Sequence, residues 1–268
     1  MQIYQHYSEN GLFSSKIYHF TTIDSTNEEA KRRAETHQLQ NFDIIISNEQ
    51  STGKGRNNKD WHSPLGNLYF SIHFNNEEVN KINNRAYIFN VIAILSMHLA
   101  ISKLLTKDQL LALKIKWPND LLFNNKKICG ILSKISQNNS GEKSKEKFMI
   151  IGIGVNINNH PPDELLNNFK ATNLQEIGVN TNNIALLELF LDRFFITYQK
   201  WQNFGEDLIR QQWLQYAHNL NQEITLSLEQ EIYRGIFRGI DQDFNLMLQL
   251  PNNQIKKIGF CEILAIES

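Results

Sequence analysis

Residues 86–105 form the most apolar run of the chain, and that run narrows the possible folds more than any other feature. Asn90, Ser96, His98 and Lys103 interrupt it, so it falls short of a membrane span and reads as a buried helix. Strand patterns stand on either side of it. Residues 42–47 read as a buried strand. Leu68, Phe70, Ile72 and Phe74 alternate with Asn67, Tyr69, Ser71 and His73, which predicts a half-buried strand. Leu111, Leu113 and Ile115 alternate with Ala112, Lys114 and Lys116. Residues 121–123 and 127–133 flank Asn124 and Asn125, a tight hairpin turn. Residues 148–157 return as a strand after a polar excursion at 137–147.

Helical signals bracket this strand-rich middle. Ser25 and Thr26 each precede a glutamate by three residues, Glu28 and Glu29. That doubled capping box predicts a helix running to about His37. After a linker opened by His160, Pro161 and Pro162, two helices follow at about 183–204 and 206–217. From Asn221 the pattern changes to short strands at 223–228, 232–240, 246–250 and 261–266. Fewer than fifty residues of this kind suggest a small β-barrel appended to an α+β domain, with the boundary near residues 219 and 220.

Composition excludes several function classes. A formal net charge of -1 on 268 residues is no polycation, so gripping nucleic acid by bulk charge is not expected. Two cysteines, Cys129 and Cys261, make neither a disulfide framework nor a cysteine zinc site. The eight histidines show no metal spacing, so no residue is assigned to a protein-held metal. Residues 1–11 contain Gln5, His6, Glu9 and Asn10 and no apolar core, hence no signal peptide. A reducing, cytoplasmic compartment fits.

The chemistry-bearing segments are few. Gly53, Lys54, Gly55 and Arg56 combine exposed backbone N–H groups with positive charge, as a loop around phosphate oxygens requires. Asn48 and Gly55 break the Walker pattern, and Asn58 breaks the dinucleotide fingerprint; taken alone, the segment is equally a solvated loop. Trp61, ahead of Ser63, Pro64 and Gly66, reads as an anchor of that loop to the core. In Lys116–Trp117–Pro118–Asn119–Asp120, proline interrupts the ladder and leaves Asn119 and Asp120 at a strand end, either as a turn or as ligand contacts. Lys127 opens an apolar strand as an edge gatekeeper or an anion ligand. It shares a face with Cys129 and Ile131 only if no bulge intervenes. Gly152 and Gly154, two apart and followed by Asn156, either clear one strand face for a flat ring or mark a bulge.

Order and spacing unite these segments. Ser25–Thr26–Asn27, Gln50 with the Gly53–Arg56 loop ending in Trp61–His62–Ser63–Pro64, and Asn67–Leu68–Tyr69 together resemble the biotin protein ligases. So do Lys116–Asp120, Lys127–Ile128–Cys129–Gly130–Ile131–Leu132 and Gly152–Ile153–Gly154–Val155–Asn156. Arg238–Gly239–Ile240–Asp241 looks like the family's barrel strand and turn. The resemblance implies a mixed or antiparallel sheet flanked by helices, of the class II synthetase-like biotin and lipoate ligase type, plus a C-terminal SH3-like barrel. It implies an ATP-dependent ligase, with magnesium, that makes biotinyl-5′-AMP and passes biotin to a lysine of a carboxylase's biotin carrier domain. Position by position, Ser25, Thr26, Asn27, Gln50, Lys54, Gly55, Arg56, Lys127, Gly130, Leu132, Gly152 and Gly154 match biotin-side positions. Gly53, Lys54, Gly55, Arg56, Trp61, Asn119 and Asn156 match the adenylate side, and Lys127, Arg56 and Asp120 the catalytic group. Members often form homodimers.

The chain departs from the family in places. Lys54, Asn57 and Lys59 stand where many bacterial members carry arginines, and Phe244 takes a turn position where relatives often have glycine. Only 24 residues precede Ser25, fewer than a winged-helix domain needs, so the expectation is a ligase that does not bind DNA or membrane. The rival readings are a lipoate or octanoate ligase of the same architecture, which would lack the Trp117–Asp120 segment, and a biotin-binding sensor without catalysis.

Overall fold

Two sheets organise the chain. The computed structural model describes residues 1–8, 11–56, 59–82, 85, 87–138, 146–162, 170–228, 231–259 and 263–267. Asn57, Asn58, Ala86, Cys261 and most of the 137–147 excursion lie outside the described residues.

The larger sheet has eight strands in the order β1-β2-β3-β4-β8-β7-β6-β5. These are β1 (Gln2–Tyr7), β2 (Ser14–Ile23), β3 (Ile44–Gln50), β4 (Leu68–Phe74), β5 (Leu113–Lys116), β6 (Asp120–Phe123), β7 (Lys126–Gln137) and β8 (Lys147–Val155). Only β2 and β3 pair in parallel; every other neighbour pair is antiparallel. One parallel pair fits the single helical crossover, α1 (Thr26–Glu35), between β2 and β3. The expected hairpin turn is present, with Asn124 at φ 47° and Asn125 at φ 63°, the left-handed pair that a type I′ turn requires.

The helices α2 (Asn76–Lys81), α3 (Tyr87–Ser102), α4 (Asn183–Phe204) and α5 (Glu206–Gln215) complete the part of the chain built on this sheet. The apolar run is indeed a buried helix: α3 is buried at all but three of its residues and packs on α4 and on β5, β6 and β7. Phe70, Phe74, Phe89, Phe190, Phe194 and Tyr198 fill the space between sheet and helices. A smaller core, with Ala30, Ala34, Ile45 and Ile150, lies under α1 on the opposite face.

Five strands within residues 223–228, 231–258 and 263–267 build a second, antiparallel sheet in the order β12-β11-β10-β9-β13. Its strands are β9 (Glu223–Leu228), β10 (Glu231–Ile240), β11 (Leu246–Gln249), β12 (Ile255–Ile258) and β13 (Ile263–Glu267).

Two expectations need correction, and three strands stand where none is expected. The strand at 68–74 is buried on both faces, because α1 covers the side carrying Tyr69, Ser71 and His73. Ser25 is the N-cap residue of α1, yet its side chain makes no capping bond. Glu29 turns to Arg32 and Arg33, at 2.8 and 2.7 Å. Finally, β1, β2 and β12 carry no alternation strong enough to announce them; β1 is exposed or half-exposed throughout.

His98 supplies a pH-linked test of this core. Its Nε2 donates to the Leu113 carbonyl at 3.2 Å, and its ring stacks 4.0 Å from that of Tyr216. Burial pushes its pKa down from 6.5 to about 4. The unfolded chain therefore takes up the proton first on acidification. The stability contributed by neutral His98 is full above pH 6.5 and is lost as pH falls towards 4, by about 3 kcal/mol. In urea titrations at pH 7 and pH 4.5, wild type should lose more stability than His98→Gln; parallel losses would refute the assignment.

Candidate active site

Strand register brings the glycines into line. Gly130 pairs with Gly154 and Leu132 with Gly152 across β7 and β8, while Tyr69 and Ser71 of β4 stand opposite Gly154 and Gly152. One sheet face thus carries three glycines in a row of neighbouring strands, beside the N-terminus of α1.

Two side chains fill the space the glycines leave. A Cβ on Gly154 would lie 2.5 Å from the Trp61 indole, and one on Gly130 2.9 Å from it. A Cβ on Gly152 would lie 2.3 Å from Asn27 Oδ1. The cleared face is therefore lined by Trp61 and Asn27. Trp61 thus packs over the cleared face and lies outside the apolar core, and its Nε1 is buried without an acceptor among the described residues.

At the α1 end, five polar side chains interlock. Ser71 Oγ lies 2.8 Å from Thr26 Oγ1 and 2.6 Å from Asn27 Oδ1. Gln50 Oε1 accepts from the Thr26 N–H at 2.8 Å, so Gln50 does the work expected of a cap and orients the helix start. Gln50 Nε2 donates to Ser63 Oγ at 2.9 Å, and Ser63 Oγ donates to the Trp61 carbonyl at 2.8 Å. Gly53 makes this approach possible, since a Cβ there would meet Ser63 Oγ at 2.5 Å. Ser25 and Thr26 are buried; Asn27 and Gln50 are half-buried.

At the other end lie the charges. Lys127 Nζ is 2.7 Å from Asp120 Oδ1 and 5.2 Å from the Trp61 ring centroid. A bulge explains how it gets there. Leu121 pairs with Cys129 but Leu122 pairs with Lys127, so Ile128 is an extra residue. Without it Lys127 would share the core face of Cys129 and Ile131; with it Lys127 reaches Gly130, whose Cβ would lie 3.1 Å from Nζ. The edge-gatekeeper reading is also corrected, because β7 lies inside the sheet between β6 and β8.

Arg56 Nη1 donates to Asn119 Oδ1 at 3.1 Å, which ties the loop to the strand end. Asn119 is itself held across β7, its Nδ2 donating to the Ile131 carbonyl at 2.5 Å. Lys54 turns outward to Asp60 at 2.7 Å, away from this group. Lys116, opposite Asp120 in the β5–β6 register, has its pKa lowered by burial first, then by Lys127, against the pull of Asp120. Cys129 is fully buried, and burial pushes its thiol well above the ordinary range, so it is inert packing.

Asn156, at the end of β8, is 2% exposed. Its Nδ2 donates to the Thr172 carbonyl at 3.0 Å, leaving Oδ1 buried without a donor among the described residues. Residues 170–172 run alongside Lys127, whose N–H donates to the Lys170 carbonyl at 2.8 Å. Two contributors escaped the sequence reading: this segment, which has no strand pattern, and Ser71. The alternation at 68–74 had placed Ser71 on the outward face, which was the available signal.

With fold and site in view, relatives can be compared. Residues 19–156 match the biotin/lipoate A/B protein ligase family and residues 220–264 the biotin protein ligase C-terminal domain. The chain belongs to the biotin/lipoate A/B protein ligase family. It is 30% identical over 235 residues to the biotin–[acetyl-CoA-carboxylase] ligase of Paracoccus denitrificans, spanning 85% of this chain and 92% of that relative. It is 28% identical over 252 residues to the bifunctional ligase/repressor BirA of Bacillus subtilis (strain 168), spanning 92% of this chain and 73% of the relative. A solved biotin protein ligase from Aquifex aeolicus, in complex with biotin and ATP, matches with TM-score 0.76 at 25% identity over 94% of this chain and 99% of that chain.

Proposed function

We propose that this chain is an ATP-dependent biotin protein ligase acting in two steps. The biotin carboxylate attacks the α-phosphorus of ATP, the bond to the β-phosphate oxygen breaks, and biotinyl-5′-AMP and pyrophosphate form. A lysine amine of a carboxylase's biotin carrier domain then attacks the acyl carbon, and AMP leaves. The observation that carries this reading is the Lys127–Asp120 pair set beside paired glycines within reach of the Arg56 loop. The names of the relatives support it.

The residues take roles by their chemistry. A carboxylate and a phosphate repel each other, and Lys127 and Arg56 offset that repulsion and the charge that grows on the α-phosphate. Asp120 holds the Lys127 ammonium in place. Biotin is largely apolar with a polar ureido edge, which suits the glycine-lined wall closed by Leu132 and the hydroxyl and amide groups of Ser25, Thr26, Asn27 and Gln50. Gly53, Lys54 and Gly55 belong to the loop that closes over the adenylate, Trp61 to its wall. The orphan Oδ1 of Asn156 suits an exocyclic amine such as that of adenine.

Among the described residues, no three His, Cys, Asp or Glu side chains group as a metal cage. Magnesium would enter with ATP, whose phosphate oxygens are its ligands, and would supply charge neutralisation there. On this reading the catalytic domain ends at residue 219, the C-terminal module begins at residue 220, and the enzyme works in the cytoplasm. No helix among the described residues is long and apolar enough to cross a membrane.

Incubation with ATP, magnesium and either biotin or lipoate, followed by mass spectrometry, tests the reading. Biotinyl-AMP is expected; a lipoyl adenylate alone would overturn it. Gly152→Ala should raise the biotin KM at least about tenfold, because the new Cβ displaces Asn27 from Ser71; an unchanged KM would remove Asn27 from the biotin wall. Arg56→Gly should release biotinyl-AMP more than it slows its synthesis, since Arg56 tethers the loop to Asn119. Bovine serum albumin added to the reaction should then become biotinylated more than with wild type, as read on a blot.

A further inference from the structure

Among the described residues, eight other than glycine take a left-handed φ, and five of them are asparagines. Asparagine tolerates that region; a bulky aromatic residue does not, and holds it only where its surroundings over-determine the backbone. Phe42, at φ 66°, sits at the centre of the aromatic cluster formed with Phe13, Phe74 and Phe195, which accounts for it. Phe244, at φ 59°, lies elsewhere, in the turn between β10 and β11.

That turn is braced on each side. Asp241 Oδ1 accepts the N–H groups of Asp243 and Asn245 at 2.9 and 3.0 Å, and Lys257 reaches Oδ2 at 2.9 Å. The Phe244 ring is 1% exposed and packs 5.4 Å from the ring of Tyr87, at the start of α3. The product of this bracing is the direction of one carbonyl. Phe244 O accepts the indole N–H of Trp117 at 3.0 Å in a buried bond between residues 127 apart in sequence. An ordinary negative φ would swing the local backbone away from that partner. Trp117 is followed at once by Pro118, Asn119 and Asp120, and those last two hold Arg56 and Lys127.

We infer that the turn of the C-terminal sheet positions the catalytic strand end: Phe244, kept left-handed by its packing, anchors Trp117 and so fixes Asn119 and Asp120 against Arg56 and Lys127. Phe244 and Trp117 are positioning residues, since they act through other groups. The inference rests on the proposed adenylation. A plain structural role would lower stability alone; a positioning role also moves the chemical step, because displacement by about 1 Å costs up to about 10²-fold in rate.

The test uses the full chain in two variants. Trp117→Phe keeps an aromatic ring and deletes the donor. Phe244→Gly keeps the carbonyl, relieves the backbone and deletes the ring that holds the turn. Both should lower kcat for adenylate formation about 10- to 30-fold with the biotin KM within twofold of wild type. Amide hydrogen exchange at residues 119–123 should rise at least about tenfold, while residues 44–50 keep their protection. Unchanged exchange at 119–123, a rise spread over the whole sheet, or faster exchange without a fall in kcat would each overturn the inference. Wild-type protein that forms no biotinyl-AMP would overturn the proposed function instead, and the exchange pattern would still decide whether the turn holds the strand end.

Discussion

Replacing Lys127 by alanine is expected to slow adenylate formation by two to three decades while the chain stays folded. The ammonium is paired with Asp120 at 2.7 Å and lies over the glycine-lined face, so it is the group best placed to meet both anions of the proposed reaction. Deleting a donor aimed at developing charge costs about 3–4 kcal/mol in the transition state. The variant also removes the ammonium paired with Asp120, which leaves an uncompensated negative charge where the substrates are negative. Folding should survive because the Lys127 side chain is 28% exposed and carries no core contact of the kind made by Ile128 and Cys129. Pyrophosphate release within fivefold of wild type would sink the assignment.

Asn67→Leu is expected to cost about 3–5 kcal/mol of folding stability, the largest effect on stability foreseen here. Asn67 is fully buried, and its Oδ1 accepts three consecutive backbone N–H groups, those of Ile157, Asn158 and Asn159, at 2.8, 3.0 and 3.0 Å. Its Nδ2 donates to the Asn159 carbonyl at 2.9 Å. Leucine would fill a similar volume and leave those groups unpaired, each at about 1–3 kcal/mol before relaxation. Urea titration should show a midpoint lower by at least about 1 M. A loss below about 1 kcal/mol would mean that water or neighbouring carbonyls replace the amide. Because these N–H groups directly follow Asn156, the proposed adenylate side of the site should loosen together with the fold.

The elements legible from residue order alone are those whose signal is local. The helix Asn183–Phe204 was expected at those bounds, and Asn124–Asn125 was expected to turn as it does, because helix periodicity and left-handed tolerance depend on a residue and its near neighbours. The segments that the structure gathers around Lys127 were legible as well, since each is a short run whose identity survives in any fold. Strands β1 and β12 were not, because an exposed edge strand has no apolar alternation to display.

What lay beyond the reach of local pattern depends on contacts between distant parts of the chain. Strand alternation could not tell which face Lys127 takes, because one bulged residue, Ile128, reverses it, and that bulge exists only in the pairing of β6 with β7. Nor could it show that the cleared glycine face receives Trp61 and Asn27 from separate segments, or that Gln50 replaces the Ser25 side chain at the start of α1. The residue types, and with them the chemistry available, were settled along the chain. Their distances and the faces they share were settled by register, by burial of both sides of β4, and by a hydrogen bond from Trp117 to a turn 127 residues away. Hydrogen-bond geometry and close packing act over a few ångströms in space, whatever the separation in sequence.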